Sequence, residues 1–328
     1  MMDRRRFLLG IAPALAAWAA HAQQKVRRIG LLSASGEASM VELVAALLEG
    51  LRAYGYVEGK NLVLDRRYAA GNLSLLPQLC RELLAAKPEL LVVPADTAAL
   101  IVREQSKEVP IVLALSSDPV EVGLAASLAR PGRNTTGVTT LALALVAKRF
   151  ELLKEAFPGL DRVAVLDLRD DPGRRTQDAK NQLQLLEPAA RQYGVNLIPI
   201  GISSPDEIAP AVAAAAKAAR AALAVAGPFM FTHRDRIAAA AIEHRLPVMA
   251  SETIVARAGA LMAYSVHFPS NFRRAAYFVH RILGGARAGD LPIEQPTRFE
   301  LVVNLKTARA IGIAIPPSIL LRADVVIE

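Results

Sequence analysis

Residues 112–132, "VLALSSDPVEVGLAASLARPG", change character in the middle. Val112–Leu115 read as a buried strand, Ser116-Ser117-Asp118-Pro119 stops it, and the pattern beyond is helical. Alone, Ser-Ser-Asp-Pro is the signature of an N-cap with proline at the helix start. The same punctuation, however, recurs along the chain. "RRIGLLSAS" (27–35) ends in Ser33 and Ser35, and "ELLVVPADT" (89–97) ends in Asp96 and Thr97. "DRVAVLDL" (161–168) ends in Asp167, and "LPVMASE" (246–252) in Ser251 and Glu252.

Between these strands lie amphipathic helical runs such as "MVELVAALLEGLRAYG" (40–55) and "RDRIAAAAIEHR" (234–245). Strand and helix alternate over 27–140 and again over 161–265, which predicts an α/β chain with parallel sheets covered on both faces. Tyr54-Gly55 recurs as Tyr193-Gly194, 139 residues later, and Val109-Pro110 recurs as Leu246-Pro247, 137 residues later. Two similar halves, each a small open sheet, follow from this repeat. The stretch "RPGRNTTGVTTLALAL" reads as a link between them, and the chain is expected to cross between lobes more than once. The first lobe is expected to hold 23–140 plus about 265–290, and the second 141–264 plus about 291–328.

The chain has 328 residues, 53% hydrophobic and 21% charged, enough for two domains with sizeable cores. Of the net charge of +8, Arg4, Arg5 and Arg6, offset by Asp3, supply +2. The remaining basic residues are scattered and not interleaved with aromatics, so no nucleic-acid face is expected. "MMDRRRFLLGIAPALAAWAAHA" (1–22) has a basic start, an apolar stretch too short to span a membrane, and Ala20-His21-Ala22 as a small-x-small cleavage site. Its Arg4-Arg5-Arg6-Phe7-Leu8 fits the twin-arginine export pattern, with the general secretory route as the alternative. A soluble periplasmic protein beginning at Gln23 is therefore expected, without tryptophan because Trp18 is the only one. The lone Cys80 sits in an apolar helical run and reads as a core residue.

In open parallel sheets, ligands bind outside the carboxyl ends of the strands, where helix N-termini also point. The residues standing there are Ser33, Ser35, Asp96, Thr97, Ser117 and Asp118 in the first half, and Asp167, Phe229, Glu252 and Tyr264 in the second. Hydroxyls and helix-start N–H groups suit an anionic oxygen, and the acids suit an ammonium. Phe229, Phe231 and Tyr264 suit an apolar or aromatic body. No phosphate-cradling glycine loop and no G-x-S-x-G nucleophile elbow is present. The histidines show no ligand spacing, so neither a metal site, a cofactor nor an enzymatic constellation is expected.

The stretches "LRAYGYVEGKNLVLDRRYA", "SSDPVEVGLAASLARPGRNTTGVT", "KRFELLKEAFPGLDRVAVL" and "QPTRFELVVNLKTARAIGIAIPPSILLRADVVIE" carry a resemblance across the whole chain beyond residue 22. The chain resembles ABC-transporter substrate-binding proteins, in particular the family that includes tryptophan- and tyrosine-binding members. That resemblance implies a type I periplasmic-binding fold, with two lobes joined by a multi-strand hinge and closing on a small solute. It also implies a monomer working with an inner-membrane permease. It makes Ser33, Ser35, Thr97, Ser117 and Asp118 contact candidates. Where relatives tend to have a small Gly/Thr run, this chain has Pro94-Ala95-Asp96-Thr97. Where they tend to have an Asn-Pro pair, it has Asp167-Leu168-Arg169-Asp170-Asp171-Pro172. A sensory module for a membrane signalling partner is the alternative for the same fold, and an exported α/β enzyme the more distant one.

Overall fold

The computed structural model describes residues 25–140, 145–168, 182–224 and 227–328. The proposed export segment (1–22) and Arg169–Pro172 lie outside the described residues.

Two sheets organise the chain. The first contains β1 (Arg27–Ser33), β2 (Leu62–Tyr68), β3 (Leu91–Val93), β4 (Ile111–Ser116), β5 (Thr135–Thr139) and the late β11 (Ile293–Glu294). Its spatial order is β11-β5-β4-β3-β1-β2, and the pairings are parallel. The second contains β6 (Arg162–Leu168), β7 (Asn196–Ile202), β8 (Ala221–Ala224), β9 (Val248–Ala250), β10 (Met262–Val266), β12 (Phe299–Asn304) and β13 (Val325–Ile327). Here the order is β13-β12-β10-β9-β8-β6-β7, parallel except for the β10–β12 pair.

The continuous apolar strands have a direct cause: each side of the sheet is covered. In the first sheet, Ile29, Leu31, Val92 and Val112 pack with α1 (Glu37–Ala53) and α10 (Phe268–Leu283). Their alternating neighbours Leu32, Leu91, Val93 and Leu113 pack with α2 (Leu76–Ala85) and α3 (Asp96–Gln105), where the buried thiol of Cys80 also lies. Burial pushes that thiol up to about 11, so it behaves as a small core group. Helix α1 lies close against α10 because Gly50 has no side chain. A Cβ there would stand 2.7 Å from the Arg273 carbonyl oxygen.

The second sheet is covered on one side by α4 (Val146–Ala156), α5 (Gln182–Gln192), α11 (Leu305–Ile311) and α12 (Pro317–Leu320). On the other side lie α6 (Ile208–Ala218), α7 (Pro228–Thr232), α8 (Arg234–Glu243) and α9 (Thr253–Ala258). The chain passes from one sheet to the other three times: after β5, after β10 and after β11.

Three expectations are revised. No helix follows Asp118: residues 119–123 form turns, with Gly123 in the left-handed region at φ +73° and its carbonyl accepting from Arg103. The apolar spacing of "VEVGLAASLA" is helical, but the left-handed glycine breaks the run. Thr135–Thr139, read as part of a link, is the strand β5. The crossing expected at about residue 290 falls after Glu294, since β11 pairs with β5 in the first sheet.

Candidate functional site

A cavity of about 150 Å³ lies between the two sheets. From the first lobe it is lined by Ser35, Met40, Leu43, Asp96, Thr97, Leu115 and Ser117, and from the second by Arg149, Phe231, Ser251 and Glu252. Thr140, Ser265 and Phe268, beside the crossings, also face it. A larger groove of about 980 Å³ on the outer face of the first lobe includes Leu73, Leu100, Arg103, Lys107 and Arg133. Of these two, the smaller cavity has walls from both lobes, so there lobe movement changes the fit of a solute.

The cavity sits where strand ends and helix starts converge. The first turn of α3 faces it, and the N-cap residue of that helix is Ala95, whose methyl side chain leaves the first N–H groups without a side-chain acceptor. Asp96, at the start of α3, accepts from Ser116 Oγ, from Ser117 Oγ and from the Ser117 backbone N–H at 2.9 Å. Burial pushes its carboxyl above the ordinary value, against the pull of those hydroxyls and of the Ser117 and Asp118 N–H groups. Asp96 therefore ties the end of β3 to the end of β4, a structural use of an acid that the sequence offered as a ligand contact.

Glu252 is different. It caps no N–H of α9 with its side chain, is 7% exposed and opens on the cavity. Burial pushes its carboxyl up to about 8, opposed by a hydrogen bond from the Gly227 N–H and by the charges of Arg149 and Arg234. At neutral pH the group is mostly protonated.

Arg149 was not expected from the sequence. It is 3% exposed, and its Nε donates to the Tyr264 carbonyl (2.9 Å) while Nη2 donates to the Ser251 carbonyl (3.2 Å). Burial pulls its guanidinium down to about 10, so it stays charged at neutral pH. A signal for it exists in the sequence. Val146, Phe150 and Leu153 form the buried stripe of α4 at helical spacing, and Arg149 falls inside that stripe. A charge on an apolar face is the informative exception.

Five expected contacts line the cavity: Ser35, Asp96, Thr97, Ser117 and Glu252. The other five do not. Ser33 turns its hydroxyl to the Ser35 N–H at 3.1 Å within the strand end. Asp118 accepts from the Val120 and Glu121 N–H groups at 3.0 and 2.9 Å, closing a local turn in place of the helix expected there. Asp167, half-buried near the end of β6, lies outside the lining. Phe229 is buried in the second-lobe core with its ring 4.6 Å from that of His233. Two residues on, Phe231 reaches the cavity and stacks with Phe268 at 6.4 Å. Tyr264 stacks on Phe299 at 6.3 Å and contributes its carbonyl to Arg149. Phe229, Met230 and Phe231 are all buried, and the short helix α7 decides which ring goes where: Phe229 into the second-lobe core and Phe231 to the cavity.

The lobes also touch at one rim of the cavity. Arg234 Nη1 donates to Ser39 Oγ at 2.8 Å, and the Gly36 N–H donates to Thr232 Oγ1 at 3.4 Å.

The sequence model of the family described as ABC transporter substrate binding protein matches residues 28–327. The chain belongs to that family. This substrate-binding protein is similar to the "Tyrosine-binding protein" of Clostridioides difficile, 22% identical over 288 residues, covering 88% of this chain and 81% of that one. Among solved structures it matches a conserved domain protein from Vibrio cholerae O1 biovar eltor, 27% identical, with a TM-score of 0.85 and coverage of 92% and 100%. It also matches the ABC domain in complex with L-Trp from Streptococcus pneumonia, 23% identical, with a TM-score of 0.82 and coverage of 92% and 99%. The two sheets are thus the lobes of a type I periplasmic-binding fold, and the cavity lies in the cleft between them. Among the described residues, no helix of this binding protein is long and apolar enough to cross a membrane, and no group of three His, Cys, Asp or Glu side chains is placed to hold a metal.

Proposed function

We propose that the protein is the periplasmic receptor of an ABC uptake system and that its ligand is an amino acid with an apolar, preferably aromatic, side chain. The observation that carries this reading is the buried Glu252 carboxyl opening on a cavity whose other walls are largely apolar. The ligand's ammonium goes to Glu252 on the second lobe. Its carboxylate goes to the uncapped first turn of α3 and the hydroxyls of Ser35 and Thr97 on the first lobe. Because the two head groups bind different lobes, only the closed form satisfies both, which makes closure the consequence of binding. The stacked pair Phe231 and Phe268 meets the side chain. The names of the tyrosine-binding relative and of the L-Trp complex support the same ligand class.

The test uses the chain from Gln23, which has no tryptophan. A bound L-tryptophan would therefore be the only indole in the sample, and its emission reports binding directly. A thermal-shift panel of amino acids, aromatic acids, dicarboxylates, nucleosides and sugars complements it. At 100 times its dissociation constant a ligand adds about 2.7 kcal/mol of stability. Stabilisation by sugars or dicarboxylates, with none from any amino acid, would refute the assignment.

A further inference from the structure

We propose that ligand binding by this protein is coupled to proton release: the arriving ammonium expels the proton held by the Glu252 carboxyl. The inference rests on the reading of the ligand as an ammonium bearer and adds a regulatory consequence to it.

The argument begins with geometry. Glu252 is a carboxyl taken out of water at the cavity wall, and the Gly227 N–H is the hydrogen-bond donor that faces it. Arg149, whose charge acts on Glu252 more than that of Arg234, spends two donors on the Ser251 and Tyr264 carbonyls, so its guanidinium is oriented along the backbone of β9 and β10. Arg234, from the start of α8, contributes charge but binds Ser39 across the cleft. On the helix that Glu252 precedes, Arg257 pairs with Glu300 at 3.4 Å. Across the cavity stands Asp96, an acid that adds no positive field. His267 lies in a neighbouring groove with Arg257 and Glu300, and its ring bonds Ser270. A buried carboxyl without a dedicated ionic partner keeps its proton, in line with the upward shift to about 8.

An ammonium seated against that carboxyl supplies the missing partner. The O–H bond of Glu252 breaks, the proton leaves to bulk water or buffer, and the carboxylate forms an ion pair with the ligand. The ammonium's positive charge replaces that of the departing proton at Glu252, while the ligand's carboxylate brings one negative charge that the first turn of α3 accepts on the other lobe. Charge balance also gives selectivity. An analogue that lacks the ammonium has no means of ionising Glu252, and one that lacks the carboxylate still expels the proton.

The consequence is a pH-dependent receptor. With the empty site titrating near 8, about 0.9 proton is released per ligand at pH 7 and about 0.1 at pH 9. Affinity rises about ninefold from pH 6 to pH 7 and levels off above pH 8. A receptor of this kind loads best in neutral or alkaline surroundings and sheds ligand on acidification.

The experiment is isothermal titration calorimetry of the chain from Gln23 with L-tryptophan and L-tyrosine at pH 7, in phosphate and in Tris, whose ionisation enthalpies differ. Expected are buffer-dependent heats giving about 0.9 proton released for the wild type. Glu252→Gln, which mimics the protonated carboxyl in shape, should bind with no buffer dependence. Asp96→Asn should retain the release. Identical wild-type heats in the two buffers would overturn the proposal, and so would loss of the release in Asp96→Asn with its persistence in Glu252→Gln. A second measurement needs no ligand: the ¹³C carboxyl resonance that disappears in Glu252→Gln should titrate near 8 in the empty protein. A midpoint below 5 overturns the proton inference even if amino acids bind. A midpoint near 8 with no amino acid bound overturns the ligand reading, and this inference with it.

Discussion

Replacing Glu252 by glutamine should make the ligand-free protein more stable, and the gain should grow with pH. In the unfolded chain a glutamate titrates at about 4.5, whereas in the fold burial holds Glu252 at about 8. Between those values the unfolded state has lost the proton that the native state still carries, so raising the pH favours unfolding. The slope is about 1.4 kcal/mol per pH unit inside the window and fades at each end. Relative to a neutral side chain, the wild type is penalised by about 1 kcal/mol at pH 5 and about 4 kcal/mol at pH 8. Glutamine has the same shape and accepts the same Gly227 N–H, so it removes the titration without opening a cavity. The assay is urea unfolding of both proteins from pH 5 to pH 8, followed by circular dichroism, with the difference in unfolding free energy plotted against pH. A difference that widens by about 3 kcal/mol supports the buried, proton-bearing carboxyl. A difference independent of pH would mean that Glu252 titrates alike folded and unfolded, and the electrostatic description of the cavity would fall.

Arg149→Met should destabilise the protein by about 2–5 kcal/mol in urea, since it strands the buried Tyr264 and Ser251 carbonyls; a loss under 1 kcal/mol would show that other donors reach them. Phe231→Ala should weaken L-tryptophan binding about tenfold and Phe229→Ala should leave affinity nearly intact, while each, being a buried core ring, should cost about 3–5 kcal/mol in folding. Equal effects of the two changes on binding would undo the assignment of cavity and core. Gly137→Ala should prevent folding, or lower the melting temperature by more than 10 °C on the order-of-magnitude scale for such domains, because a Cβ there would stand 2.1 Å from the Leu113 carbonyl oxygen at φ +131°. Arg234→Ala should loosen the rim contact to Ser39 and raise the dissociation rate of L-tryptophan about fivefold in stopped-flow emission; an unchanged rate would show that the rim does not hold the closed form.

The fold was legible because its strands are buried on both faces. Runs such as Ile29–Leu32, Leu91–Val93 and Val163–Leu166 can satisfy that environment and little else, and helices of clear period separate them. The strand β5 escaped because Thr135, Thr136 and Thr139 are polar in name, although all three are buried and Thr136 donates to the Leu291 carbonyl at 3.0 Å. That partner lies 155 positions away and leaves no local trace. The site was legible as a set of strand ends and not as individual contacts. Ser35, Asp96, Thr97, Ser117 and Glu252 reach the cavity, but nothing near them in sequence separates the acid that ties two strands from the acid that makes no such tie. That distinction depends on where Ser116 and Ser117 stand relative to Asp96, a tertiary fact. Arg149 carried a readable signal, a charge inside an apolar helical stripe, that is visible only when helix faces are examined residue by residue.

The triple crossing between sheets has a bearing on how this chain is made. Helix α1 ends at Ala53, yet α10, which covers its apolar side, begins at Phe268, and β11 completes the same sheet at Glu294. A ribosome has therefore synthesised nearly the whole polypeptide before the first lobe can close. Until then Leu43, Leu47 and Leu51 lack their cover, and they are a natural target for holding chaperones. Closing contacts so far apart in sequence also delays folding.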